Sequence, residues 1–215
     1  MISRKVLNAV GDSERVWTAN PENVVDGTNN VDAIVDFTPL SPQSGNLLFA
    51  VFAWDGNGSV TSPAAGWTEV YESVGFSFPS ILVWTKISDG TETTVDYGGT
   101  QVRPFAGAAI VASNGSYSSV TENKAATSYP DLIANPNQLA GEQVLCLVAG
   151  EDQNTALTDP SSGQVLANEL AYSTTNSGIA FGASVYTTVS DNETPPAFTR
   201  GGVADGAMAL TIRIV

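Results

Sequence analysis

The amino-acid sequence predicts an all-β protein, an antiparallel β-sandwich that is jelly-roll-like and built from two similar halves. Three observations lead to this class. Apolar residues follow strand spacing, helical spacing is not sustained anywhere, and turn-forming pairs such as Asp89-Gly90, Gly98-Gly99 and Asn114-Gly115 recur at short intervals. Many short strands joined by such turns are typical of sandwiches and barrels.

Strands are predicted where runs of apolar and β-branched residues lie between turn signals. The runs at 46–54 and 142–150 are almost continuously apolar, which indicates central strands covered on both faces. Trp54, Trp84 and Cys146 lie inside apolar runs and are predicted to be core residues. The full set of predicted strands is 32–37, 46–54, 68–74, 80–88, 93–97, 106–113, 142–150, 178–189, 197–199 and 207–215.

Two stretches of the chain look related. The apolar run that starts at Leu47 matches the run that starts at Val144, 97 positions later, and the run from Val83 matches the run from Val185. Each second run leads into a Glu-Thr pair, at Glu92 and at Glu193. Because these matches occur in the same order, we expect an internal duplication.

The predicted duplication sets the domain organisation. A unit of about four strands could not cover both faces of its own sheet, so one sandwich is expected rather than two domains. Residues 1–30 are predicted to form an N-terminal arm and first strand, and residues 31–215 the sandwich. Its halves would span about 45–115 and 141–215, with the polar segment 116–138 as the crossover.

The charge of the chain limits its partners. With 22 acidic and 8 basic residues, the net charge of −14 argues against nucleic acid and against a membrane surface. Arg4, Lys5 and Arg15 are three of the eight bases, and they would either dock the N-terminal arm onto an acidic partner or remain solvated. No secretion signal and no apolar stretch of about 20 residues is found, so the protein is expected to stay in the cytoplasm or to leave by lysis.

The residue types present exclude most catalytic chemistry. There is no histidine and only one cysteine, so histidine-dependent hydrolytic sites, zinc sites built from histidine and intrachain disulfides are excluded. No glycine-rich phosphate loop followed by lysine is found. We therefore expect no enzymatic activity, no cofactor and no metal site.

Three alternatives survive that test. Asp55 and Asp152 are candidates for the paired carboxylates of a glycosidase, although both are better interpreted as turn residues. The run from Asp55 to Ser59 offers oxygen ligands for calcium, but an EF-hand loop would need Gly where Val60 stands. Trp67, with Asp55 and Asn57, is a candidate glycan contact. For Trp67 itself, a packing role is favoured over this contact.

Four motifs follow one another in the first half: Gly45-Asn46-Leu47-Leu48, Pro63-Ala64-Ala65-Gly66-Trp67-Thr68, Val83-Trp84-Thr85-Lys86 and Ala106-Gly107-Ala108-Ala109-Ile110. Together these motifs resemble a recurrent β-sandwich module. That module occurs in phage tail fibres, other phage virion proteins and bacterial surface proteins, and the resemblance covers roughly residues 30–215. In the second half Gly163-Gln164 replaces the Gly66-Trp67 pair, so the aromatic residue is lost there.

The resemblance implies a structural protein on a virion or a cell surface, and it supplies no catalytic residues. We expect an exterior component of a bacteriophage particle, with capsid decoration favoured because coiled-coil heptads and collagen-like repeats are missing. The expected partners are the major capsid protein or other virion proteins, together with further copies of the chain, for example in a trimer. The alternatives are a tail-fibre or receptor-binding adhesin that recognises host glycans, and a bacterial surface protein.

Overall fold

The protein is an antiparallel β-structure throughout the residues that can be described. The computed structural model describes residues 15–24, 34–54, 62–73, 79–97, 105–125, 133–135, 137–151, 164–173, 178–196, 198 and 206–215. These residues form twelve strands and one turn of 3-10 helix, Thr38–Leu40. Every pair of neighbouring strands is antiparallel. The predicted all-β class is therefore confirmed.

Two five-stranded sheets face each other, and a two-stranded sheet lies outside them. In spatial order, sheet 1 consists of β1 (Trp17–Val24), β7 (Phe105–Ala112), β3 (Leu47–Trp54), β5 (Ser80–Ile87) and β4 (Thr68–Ser73). Sheet 2 consists of β10 (Gln164–Ser173), β11 (Gly178–Thr187), β9 (Gln143–Glu151), β12 (Gly206–Ile214) and β8 (Tyr117–Ala125). The small sheet pairs β2 (Ile34–Asp36) with β6 (Thr94–Asp96).

The two large sheets have the same strand order. The first half of the chain supplies all of sheet 1 and the second half supplies all of sheet 2. When the five strands of each sheet are numbered along the chain, both sheets run 1-5-2-4-3 from edge to edge. This shared order agrees with an internal duplication, although the common origin of the halves stays a prediction.

The strand pairing corrects the alignment of the two halves. Leu47 pairs with Ile87 and Ala112, and the equivalent Gln143 pairs with Thr187 and Ile214. The first apolar strands therefore match at a separation of 96 residues, and the predicted 97 is wrong. The same pairing matches Lys86 with Tyr186 at a separation of 100, so the predicted match of Val83 with Val185, at 102, is also wrong. Side chains alternate between faces along a strand, so a slip of one residue would match an inward position with an outward one.

The predicted crossover is also wrong. Strand β8 (Tyr117–Ala125) occupies the first part of the segment 116–138, and the chain passes between the sheets at residues 113–116. The Asn114-Gly115 turn thus connects the two large sheets and does not form a hairpin within one sheet. Strand β1 belongs to sheet 1, so the sandwich includes part of the segment 1–30. The predicted strand at 197–199 has only Phe198 among the described residues, where it is buried outside any strand.

The core lies between the two large sheets, and each sheet is also covered on its outer face. The inward residues include Phe49 and Val51 from sheet 1 and Leu147 and Phe181 from sheet 2. On the outer face of sheet 1, Trp54 and Trp84 pack under the small sheet and are buried, as predicted. Cys146, also buried as predicted, lies on the outer face of sheet 2, where desolvation raises the pKa of its thiol. The side chains that cover sheet 1 are Val35, Phe37, Leu40, Ala64, Trp67, Val95 and Tyr97.

A glycine in the middle of β7 provides a test of the pairing between β3 and β7. A Cβ atom on Gly107 would lie 2.2 Å from the carbonyl oxygen of Val51, which is a backbone atom of β3. We expect Gly107→Ala to lower the free energy of unfolding by about 3 kcal/mol, because the strand itself must shift. Chemical denaturation measures this loss.

Gly45→Ala is the matched control for that substitution. A Cβ atom at Gly45 meets no atom within 4 Å, so only its positive φ of 92° opposes the change. That cost is about 1 to 2 kcal/mol. A loss at Gly107 no larger than the loss at Gly45 would contradict the described pairing of β7 with β3.

Candidate interaction surface

The described turns of the two large sheets gather at one end of the sandwich. Strands β3 and β9 begin at this end, and β5, β7, β11 and β12 finish there. We call it the turn end, and it consists of residues 15–16, 43–46, 88–93, 113–116, 139–142 and 188–193 together with Ile87 and Val215.

The turns that precede β3 and β9 have the same hydrogen bonds. The Asn46 side chain accepts a hydrogen bond from the backbone N–H of Gln43 (2.7 Å), and the Glu142 side chain accepts one from Leu139 (2.7 Å). A glycine with positive φ precedes each of these side chains, at 92° for Gly45 and 87° for Gly141. Only glycine adopts such φ values readily, so both turns depend on it.

The loops that follow β5 and β11 are each closed by one carboxylate. Glu92 accepts hydrogen bonds from the Ser88 hydroxyl (2.6 Å) and from the backbone N–H of Asp89 (3.1 Å). In the second half, Glu193 accepts hydrogen bonds from the backbone N–H groups of Val189 and Ser190. The Glu-Thr pairs found in the sequence therefore mark two loops with the same internal acceptor.

The partners of these two carboxylates differ in charge. Lys86 Nζ lies 2.7 Å from Glu92, whereas the equivalent Tyr186 donates its hydroxyl proton to Glu193 (2.7 Å). The Glu92 side chain is only 4% exposed. Burial alone would raise the pKa of Glu92, but the hydrogen bonds from Lys86, Ser88 and the backbone outweigh it and lower that pKa to about 2.

A second ion pair joins the turn before β9 to the last strand. Arg213 donates to both oxygens of Glu142, from Nε at 2.8 Å and from Nη2 at 2.6 Å. This bidentate pair lowers the pKa of Glu142 and raises the pKa of Arg213. Glu142 thus caps its turn and binds the guanidinium group with the same carboxylate.

Arg15 ties the two sheets together at the crossover. Its Nε donates to the carbonyl oxygen of Asn114 (2.9 Å), and its Nη1 donates to the Gln143 side chain of β9 (3.0 Å). The indole N–H of Trp17 donates to the same Gln143 oxygen (2.9 Å). Arg15 was expected either to dock a partner or to remain solvated, and these bonds instead hold it within its own chain. Arg4 and Lys5 lie outside the described residues.

Apolar side chains are exposed at the turn end. Among the described residues, seven large hydrophobic side chains are exposed, and five of them belong to this end. The Val189 side chain is the most open of the seven, at 78%. The described ionisable groups Arg15, Arg213, Glu92, Glu142 and Glu193 have partners within the chain. The five exposed apolar residues are Val16, Ile87, Leu139, Val189 and Val215.

The candidate glycan contact is only partly described. Trp67 is half-buried and packs on Phe37, with ring centroids 5.5 Å apart, so it has the packing role that was favoured. Asp55, Asn57 and Asp152 lie outside the described residues. The strand residue next to Trp67 is Thr68, which pairs with Thr85 of β5. The strand residue next to Asp55 is Trp54, which pairs with Ser80 of the same strand. Thr85 and Ser80 are about 17 Å apart along β5.

The described residues offer no arrangement for metal chemistry. No group of three or more Asp, Glu or Cys side chains within them could hold a metal ion. Within the same residues, no helix is long and apolar enough to cross a membrane. The buried thiol of Cys146 has a raised pKa, so it is a poor nucleophile.

Comparison with known proteins adds no assignment. The chain matches no protein-family model, no curated protein and no solved structure.

Sequence reasoning missed the turn end as a surface. Ile87 and Val189 lie in or beside predicted strands, and nothing in their local sequence separates them from core residues. The signal that was present is the pair of Gly-Asn and Gly-Glu steps at Gly45 and Gly141, which precede equivalent strands. Aligning those glycines would have given the separation of 96 residues and placed both turns at one end.

The ionisation of Glu92 makes the free energy of unfolding depend on pH in the acid range. Since its pKa is lowered by folding, its ionised form stabilises the fold fully above about pH 5 and this contribution is lost as the pH falls toward 2. We expect Glu92→Gln to lower the free energy of unfolding by roughly 2 to 3 kcal/mol at pH 7. The difference from the wild type should shrink steadily below pH 4 in denaturation curves. A difference that is independent of pH would contradict this role.

Proposed function

We propose that this protein is a structural component on the exterior of a bacteriophage particle. Within that class we favour a capsid decoration protein that attaches by its turn end. Its partners would be the major capsid protein or another virion protein, and several copies would bind together, for example as a trimer. The protein would therefore reside in the virion.

The observation that carries this proposal is the clustering of exposed apolar side chains at the turn end. Leu139 and Val189 are 54% and 78% exposed on neighbouring turns of sheet 2, and Ile87 is 53% exposed at the end of sheet 1. Several exposed apolar side chains gathered at one end of a protein favour an interaction site there. Two of the described carboxylates there, Glu92 and Glu142, are paired with Lys86 and Arg213, so covering them costs less desolvation than covering unpaired carboxylates.

The rigidity of the turn end fits attachment. Each of its turns is held by a side-chain cap, by a backbone ladder bond or by an ion pair, as at Asn46, Ser116 and Arg213. A preorganised surface loses little conformational entropy when a partner binds. Such a surface suits a protein that many equivalent sites on a particle must hold in one orientation.

The resemblance described above supports the same class from the sequence. The Gly45 turn and the Trp67 segment that carry it are structural elements here, because Gly45 shapes the turn before β3 and Trp67 covers the outer face of sheet 1. The module is thus explained by packing requirements rather than by ligand contacts, which is expected for a protein whose role is structural.

Copy number in purified particles tests the proposal. Mass spectrometry against the major capsid protein should find hundreds of copies per particle. A few to a few dozen copies would replace capsid decoration with a tail or fibre role, for which binding to a glycan array would be measured next. Complete absence from particles would overturn the virion assignment.

Attachment by the turn end predicts the effect of a double substitution. We expect Leu139→Ser with Val189→Ser to weaken binding to particles that lack the protein by at least tenfold, because two exposed apolar contacts are lost. The free energy of unfolding should be nearly unchanged, since both side chains are exposed. Co-sedimentation with particles measures the binding.

Ile133→Ser is the control for that experiment. Ile133 is 40% exposed, and its carbonyl oxygen accepts a hydrogen bond from Thr121 in the middle of β8, away from the turn end. This variant should bind particles like the wild type. Equal losses in the two variants would point to a different attachment surface.

A further inference from the structure

We propose that the inner face of each large sheet is also a docking surface for the complementary half of a second copy of this chain. In such a dimer, sheet 1 of one copy packs on sheet 2 of the other, and residues 113–116 form the hinge. This inference does not depend on the proposed function, because it rests on the connections within the sandwich.

The first argument is that one short crossing joins the halves. Strands β1 to β7 all belong to the first half, and β8 to β12 all belong to sheet 2. Among the described strands the chain therefore passes between the two sheets once, in the four residues between Ala112 and Tyr117. A single crossing allows the strands of one half to leave those of the other half without passing between them.

The second argument is that the interface between the halves consists of apolar contacts that any copy of the complementary half could make. The inner faces bury Phe49 and Val51 against a surface that includes Leu147, Phe181 and Leu210. An exposed five-stranded sheet with such a face must find a cover, and the inner face of another copy has the same chemistry as its own partner. The same contacts form in the monomer and in the exchanged dimer.

The third argument comes from both edges of the sandwich. At one edge β1 packs against β10. At the other edge the Tyr71 hydroxyl of β4 donates to Glu122 of β8 and lies 3.5 Å from the sulfur of Met208. Counted along the chain, β1 and β8 are the first strands of their sheets, and β4 and β10 are the third strands. Each edge therefore pairs the first strand of one half with the third strand of the other.

The hydrogen bonds at the hinge permit it to open. Ser113 pairs with Val16 inside the first half, and Ser116 pairs with Val215 inside the second half. Opening the turn between these pairs breaks neither of them. The bonds lost are those from Arg15 to Asn114, while the bonds of Arg15 and Trp17 to Gln143 cross between halves and form again with the second copy.

Shortening the hinge tests the proposal directly. Deleting Asn114 and Gly115 leaves two directly bonded residues, whose Cα atoms are 3.8 Å apart, to connect sheets that pack about 10 Å apart. The full-length chain with this deletion should be a folded dimer by light scattering, with the circular dichroism spectrum of the wild type. Adding Leu139→Ser and Val189→Ser should leave it dimeric, because these residues belong to the turn end.

A lengthened hinge is the matched control and decides the question if the shortened variant does not fold. Eight Gly and Ser residues with a protease site, inserted between Asn114 and Gly115, should give a monomer whose halves stay associated one to one after cleavage. Two differently tagged cleaved samples should then exchange halves when they are refolded together. A folded monomer from the shortened variant, or cleaved halves that separate or do not exchange, would overturn the proposal.

Discussion

The mutual burial of two apolar sheet faces is the interaction on which the rest of this structure depends. Every residue of β3 and of β7 is buried, so the centre of sheet 1 has no polar face to offer to water. Such a sheet needs a cover on both sides, and the first half of the chain provides only one, the small sheet β2–β6. The second cover must come from sheet 2, which makes each half of the chain dependent on the other.

The two sheets meet the same requirement on their outer faces with different chemistry. Sheet 1 is covered by aromatic and aliphatic side chains, among them Phe37 and Tyr97. Over sheet 2 the buried Asn135 accepts a hydrogen bond from Ser119 (3.1 Å) and donates one to the carbonyl oxygen of Thr211 (2.9 Å). Two sheets with the same strand order therefore do not need the same segments on their outer faces. A segment can bury such a face if it fills the space over the sheet and its buried polar groups find hydrogen-bond partners.

The sequence predicted the central strands and the edge strand β4 well, but it missed the edge strands β8 and β10 and gave β1 only as a first strand within residues 1–30, for a physical reason. Strands β3, β5, β7, β9, β11 and β12 are apolar runs, and each was predicted to within two residues at either end. Strand β8 mixes Ser, Thr, Glu and Lys as an edge strand often does, and β1 contains Pro21. Neither signals a strand locally. Their pairing with β12 and β7 depends on distant parts of the chain, as does the meeting of the turns at one end.

The strong negative charge of the chain bears on our proposal that the turn end is the surface that meets a partner. At a net charge of −14, copies of the protein repel one another across most orientations. Beside the turn end Lys86 and Arg213 form ion pairs with Glu92 and Glu142, and the Glu193 carboxylate accepts a hydrogen bond from the Tyr186 hydroxyl, so these three carboxylates have partners within the chain. Apolar contact by Leu139, Val189 and Ile87 then requires no new partner for these three carboxylates. Repulsion elsewhere on the protein and attraction at one end together favour a single orientation on a crowded surface.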